Sequence, residues 1–151
     1  MTILVVLHVL AAVIWVGGMF FAYVVLRPSA GQLDRPSRLA LWRGVFSRFF
    51  PWVWASIALL LASGYAMLFL HFGGFAGAPP HIHVMQLTGI LMMLLFLHLF
   101  FVPWRRFSRA IAAGAFEQAA ASLNHIRLIV ASNLALGLFT TAVGASGRFW
   151  A

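Results

Sequence analysis

Six histidines, six methionines and no cysteine frame the chemistry open to this 151-residue chain. Without a thiol there are no disulfides, thiolate metal centres or cysteine nucleophiles. Asp34 and Glu117 are the only acidic residues, and both fall between apolar runs. Catalysis by a carboxylate pair therefore has no basis. No glycine-rich nucleotide motif and no Ser/His/Asp arrangement is present. Imidazole and thioether remain. Together they suit copper, with thioether favouring Cu(I). Imidazoles on facing helices also suit axial ligation of haem iron.

The histidines are His8, His71, His81, His83, His98 and His125. A polar ring inside a membrane span is costly and by default functional. His8 lies several residues into the first apolar run, and His98 lies well inside the third. His71, His81 and His83 border a Gly/Pro-rich stretch, where a solvated interfacial ring is the plain alternative. His125, beside Arg127, reads as structural. At about 100° per residue, His81, Met85 and Met92 share one side of their helix, with His83 and His98 roughly opposite. His83 and His98 are about 22 Å apart along the axis, so they cannot hold one small ion together. His8, Met67, His71, His81, His83 and Met85 fall in one outer third, drawn from three helices. Each Met alone is ordinary apolar packing, so the cluster carries weight only as a set. The expected metal set is His8, His83 and Met85, with His71 and His81 collecting the ion at the mouth. The haem alternative takes axial ligands from His8, His83 and His98.

The elements that must position these residues are membrane helices. The chain is 64% hydrophobic and 8% charged, where a soluble domain carries about 25% charged residues. Its mean hydropathy is +1.00. Residues 3–26 form an uncharged run long enough to span a bilayer. Residues 49–104 are too long for one span, and HFGGFAGAPPH, residues 71–81, divides them into two. The spacing predicts helices at about 3–26, 49–71, 82–104 and 128–147. This is an all-α integral membrane four-helix bundle in a single domain, 1–151. The first ten residues have no basic n-region, so the first run is expected to stay as a helix. Asp34 is placed to cap a helix beginning near Pro36. Leu39, Trp42, Val45, Phe46 and Phe49 then recur at helical spacing, predicting an interfacial helix that feeds the second span. The Ala-rich second inner segment is expected to be helical.

Small residues mark close approaches. Gly17 and Gly18 follow Trp15, which shares a face with His8. Gly64, Met67 and His71 share a face in the second span. Asn133, Gly137, Thr141 and Gly144 form a small polar stripe in the fourth, with Asn133 placed to hydrogen-bond a neighbouring helix. Such faces can also support a homodimer.

The formal charge is +8, and every basic residue is arginine. The arginines cluster in residues 27–48 and 105–127, whereas the 71–81 loop has none and only Arg148 lies near the C-terminus. The positive-inside rule then makes both termini extracytoplasmic. A bacterial inner (cytoplasmic) membrane is the natural home. The arginines are topogenic on this reading, and no nucleic acid is expected as a partner.

LHVLAAVIWVGGMFFAYVVLRP, residues 7–28, resembles the opening of the CopD family of copper-associated membrane proteins. The likeness continues through residues 38–67, 83–106 and 133–144. It implies copper uptake or resistance beside a periplasmic copper carrier, and the copper reading extends to sensing. A more distant similarity is to the HemJ-type protoporphyrinogen oxidases. Here His8 and His83 match that family's two histidines, Met85 replaces its Lys, and its Asn-Glu-x-Pro motif is absent. Three readings follow: a copper-handling protein, a b-type haem protein serving a membrane redox partner, and an accessory subunit without cofactor. The first leads, and an enzymatic role is not favoured.

Overall fold

A computed structural model describes residues 1–150, with the side chain of Arg148 outside the description. Helix α1 (Thr2–Phe20) runs through a π-helical stretch (Phe21–Leu26) into α2 (Arg27–Ala30). There follow α3 (Arg35–His71), α4 (Pro80–Phe101), α5 (Pro103–Ala112) and α6 (Phe116–Ser146), and no strand occurs among the described residues. Among the described residues, four helical stretches are long and apolar enough to cross a membrane: Thr2–Ala30, Arg35–His71, Pro80–Ala112 and Phe116–Ser146. The chain is an all-α, four-span membrane protein.

The helices outrun the apolar runs that announced them. The expected interfacial helix and second span are one helix, the 37-residue α3. Its start is as expected: the Ser37 backbone N–H donates to Asp34 Oδ2 at 3.2 Å. Pro51 lies inside α3 without ending it, because neighbouring helices and side chains can satisfy a carbonyl freed within a bundle. The fourth helix begins at Phe116 rather than near 128. Its polar first turns project beyond the apolar run, where hydropathy carries no signal. The Arg35 guanidinium pairs there with Glu117.

The breaks have local causes. Pro28 lacks an N–H and its ring crowds the carbonyl four residues back. The turn before it widens, and the Arg27 N–H reaches back five residues to the Ala22 carbonyl. Pro103 opens α5 after the kink at Val102. Gly114, at φ 67°, turns the chain between α5 and α6, a conformation that costs glycine nothing.

Packing gives a closed order. α1 lies against α3 and α6, and α4 and α5 lie against α6. The backbones of α3 and α4 stand further apart, and aromatic rings fill the space. Trp42, Phe46 and Phe50 stack at 5.1 and 5.2 Å along α3. Phe50 meets Phe96 of α4 at 5.6 Å and Trp104 of α5 at 5.2 Å. Trp54 meets Phe96 and Phe100 at 5.4 and 5.5 Å.

The Asp34 cap gives a pH signature. Hydrogen bonds from Ser37, side chain first and then backbone, hold the Asp34 carboxyl below its ordinary value of 3.8. A carboxylate with a depressed folded-state pKa stabilises above its unfolded pKa and loses that effect as pH falls through the folded one. Asp34→Ala should therefore lower the melting temperature at pH 7 and narrow its gap to wild type below about pH 4. Thermal unfolding in detergent at both pH values checks this; a gap independent of pH would mean that the cap does not act through its charge.

Candidate functional site

His8 is held between α1 and α3. Its Nδ1 lies 2.9 Å from Ser63 Oγ. The Ser63 hydroxyl donates its only hydrogen to the Leu59 carbonyl at 2.5 Å. Ser63 can then only accept from the ring, so Nδ1 carries the proton and Nε2 keeps its lone pair. The Leu60 carbonyl is a further acceptor within reach of the ring. Space for the ring comes from Gly64: a Cβ there would stand 3.2 Å from His8 Cε1. A ring fixed through one nitrogen, with the other left as a donor atom, is how metal-binding histidines are oriented.

The seam between α4 and α6 carries the second group. His81, Met85 and Met92 share one face, as the helical angles predict, and each sits over a glycine. A Cβ at Gly147 would collide with the His81 ring. One at Gly144 would lie 2.9 Å from Met85 Cε and 3.3 Å from its Sδ. One at Gly137 would lie 3.1 Å from Met92 Cε and 2.8 Å from Val16 of α1. Polar bonds reinforce the seam. Thr140 and Thr88 hydroxyls meet at 2.7 Å, and Asn133 Nδ2 donates to the Met92 carbonyl at 3.1 Å. Asn133 is thus a helix-to-helix bond, as expected. Of the expected stripe, Thr141 bonds only within its own helix, to the Gly137 carbonyl, and Thr140 takes the cross-helix role.

The registers put His8 and Met85 in one layer. His8 packs on Gly64. The next residue, Tyr65, accepts from Gln86 Nε2 at 3.2 Å, and Gln86 adjoins Met85. His71 lies about 10 Å further out along α3, two turns beyond. His71 and His83 are exposed. His81 is half-buried, with its Nδ1 buried and unpartnered, and its ring lies 6.2 Å from that of Trp150. Among the described residues no three His, Asp or Glu side chains gather closely enough to hold a metal ion.

A family model described as copper resistance protein D, CopD, matches residues 43–146. The chain belongs to the CopD family. No curated protein and no solved structure matches it. The CopD match takes in most of α3 and all of α4, α5 and α6. It leaves out α1, and with it His8, Trp15, Gly17 and Gly18 of the opening motif. His8 therefore rests on the geometry around Ser63, whereas His71, His81, His83, Met85 and His98 lie inside the matched segment.

Haem finds no support in this CopD-family fold. His98 lies about 18 Å along α4 from the layer of Gln86, where its ring is 5.8 Å from that of His125. Arg127 is two residues past His125, on nearly the opposite face of α6, so it does not attend the His98 ring. His8 takes its partners from α3, not from His83 or His98. The residues missed from sequence are Ser63 and the rings that continue the α3 ladder past Phe46. The four-residue spacing Trp42, Phe46, Phe50, Trp54 was a readable signal for the ladder. Ser63 offered none, being one small polar residue among apolar ones.

Gly137→Ala should overpack the junction of α1, α4 and α6 and cost about 1–3 kcal/mol. The check is thermal unfolding in detergent. Gly89→Ala is the comparison, since a Cβ at Gly89 meets nothing within 4 Å and should change little.

Proposed function

We propose that this protein binds copper within the membrane as part of copper uptake, resistance or sensing. His8 Nε2 and Met85 Sδ hold the ion, and the exposed His71 and His83, with His81, collect copper at the mouth. The observation that carries the reading is the His8 ring, proton-bearing at Nδ1 toward Ser63 and lone-pair-bearing at Nε2. Membership of the CopD family supports copper as the cargo, and the shared layer of His8 and Met85 supports a common site. An imidazole and a thioether form a soft set that favours Cu(I) over harder ions. On this reading the termini and the 71–81 loop face outward, in a bacterial inner membrane. A periplasmic copper carrier would deliver to the exposed His71 and His83.

The test is Cu(I) titration of detergent-purified protein against a chromophoric competitor, with metal analysis of the same samples. Wild type should bind copper stoichiometrically, and His8→Ala should lose it. Ser63→Ala removes only the orienting bond and should weaken binding about 10–100-fold. Met85→Leu should weaken Cu(I) more than Cu(II), because only the soft ion gains from thioether. Unchanged affinity in His8→Ala would sink the site. A Soret band that sharpens with dithionite in the same samples would replace copper with haem.

A further inference from the structure

The end of the bundle away from His8 holds a cleft that the copper reading does not use. It has a volume of about 470 Å³ and is lined by Tyr23, Val24, Arg27, Pro28, Gly31, Arg38 and Arg127. Three guanidinium groups from α2, α3 and α6 thus border one space, and no carboxylate lines it. Both acidic residues of the chain are engaged elsewhere. Glu117 pairs with Arg35. Asp34 is exposed and caps α3 through Ser37, with Arg38 exerting only a secondary electrostatic pull on it. Arg127 is half-buried, and its Nε is buried without a hydrogen-bond partner. Its guanidinium lies 5.9 Å from the Trp42 ring, and the indole Nε1 of Trp42 is a second buried donor without one. The Arg27 guanidinium stacks 4.8 Å over Tyr23, which orients it without neutralising it. The π-helical stretch, Phe21–Leu26, supplies Tyr23 and Val24. Such insertions often mark functional positions, and this one sets the angle at which Arg27 follows.

We propose that Arg27, Arg38 and Arg127 bind the phosphate of an anionic phospholipid. Guanidinium forks match phosphate oxygens in pairs, and three unneutralised cations around one cleft repel each other until an anion enters. The volume suits a headgroup. Val24, on the cleft wall, is exposed on the apolar flank of the π-helical stretch that continues α1, which gives an acyl chain a path along the helix. A lipid headgroup carrying its own ammonium would meet three like charges, so an anionic headgroup is selected over a zwitterionic one. Soluble inorganic phosphate shares the recognised chemistry and differs in lacking the acyl chain.

The experiment is thermal unfolding of the whole chain in a non-ionic detergent, titrated separately with phosphatidylglycerol, phosphatidylcholine and inorganic phosphate. Phosphatidylglycerol should raise the melting temperature saturably and phosphatidylcholine should not. Arg127→Gln should weaken the phosphatidylglycerol effect about tenfold or more. Arg27→Gln, at an exposed position that leaves the core intact, should do the same. Arg105→Gln removes an equal charge that lies over Phe101, 5.0 Å from its ring, and should leave the titration unchanged. Equal responses to the two lipids, or equal losses in Arg105→Gln and Arg127→Gln, would overturn the site in favour of diffuse surface charge. Inorganic phosphate acting at the same concentration, with the same arginine dependence, would overturn the lipid as its source.

Discussion

Inside a bilayer, apolar surface gains nothing by leaving one apolar neighbour for another, so helices associate through shape and a few polar bonds. The aromatic ladder of α3 is the contact on which the rest of this bundle depends. Trp42, Phe46, Phe50 and Trp54 recur every four residues and so fall on one stripe. They reach across to Phe96, Phe100 and Trp104, bridging two backbones that do not themselves approach closely. Because α4 and α5 both contribute rings, the ladder also fixes the kink at Pro103 between them.

The other seams use the opposite device. Where α1 meets α3, and α4 meets α6, glycines bring the backbones close and let larger side chains lie in the notches. Gly64 receives His8, Gly137 receives Met92, and Gly144 receives Met85. The result is a bundle wide on its aromatic side and tight on its glycine side. Most hydroxyls follow the membrane rule that polar groups are satisfied locally: Ser63, Thr88 and Thr141 donate to carbonyls of their own helices, and Thr140 donates across the seam to Thr88. Ser63 is distinct in what it then accepts. By giving its hydrogen to Leu59 it settles which nitrogen of His8 is protonated, and so gives a half-buried ring a defined chemical face.

Charge divides the two ends. Nine arginines belong to the end formed by α2, the start of α3, α5 and the first turns of α6, and both carboxylates are there too. The other end carries His71, His81 and His83, the uncharged 71–81 loop and, of the arginines, Arg148 alone. Two kinds of ligand suit these ends: a soft cation among imidazole and thioether, and an oxyanion among guanidinium groups. The two proposed sites share no residue, and each can fail without the other.

The sequence by itself determined the number of spans, their antiparallel order, the Asp34 cap and the grouping of His81, Met85 and Met92. Those features depend on hydropathy, length and helical period, which are local quantities. The helix ends were less legible, since α3 and α6 continue as helices into polar segments where hydropathy is silent. What only the tertiary structure decided is which helix each face meets. Helical angles place His8 and Trp15 on one side of α1, yet cannot say that His8 finds Ser63 while Trp15 finds Phe96. Nor can they bring Arg27, Arg38 and Arg127 to one cleft, because those residues are far apart in the chain and meet only when three helices close around it. Partner choice between helices is a matter of shape across space, and no local period in the chain encodes it.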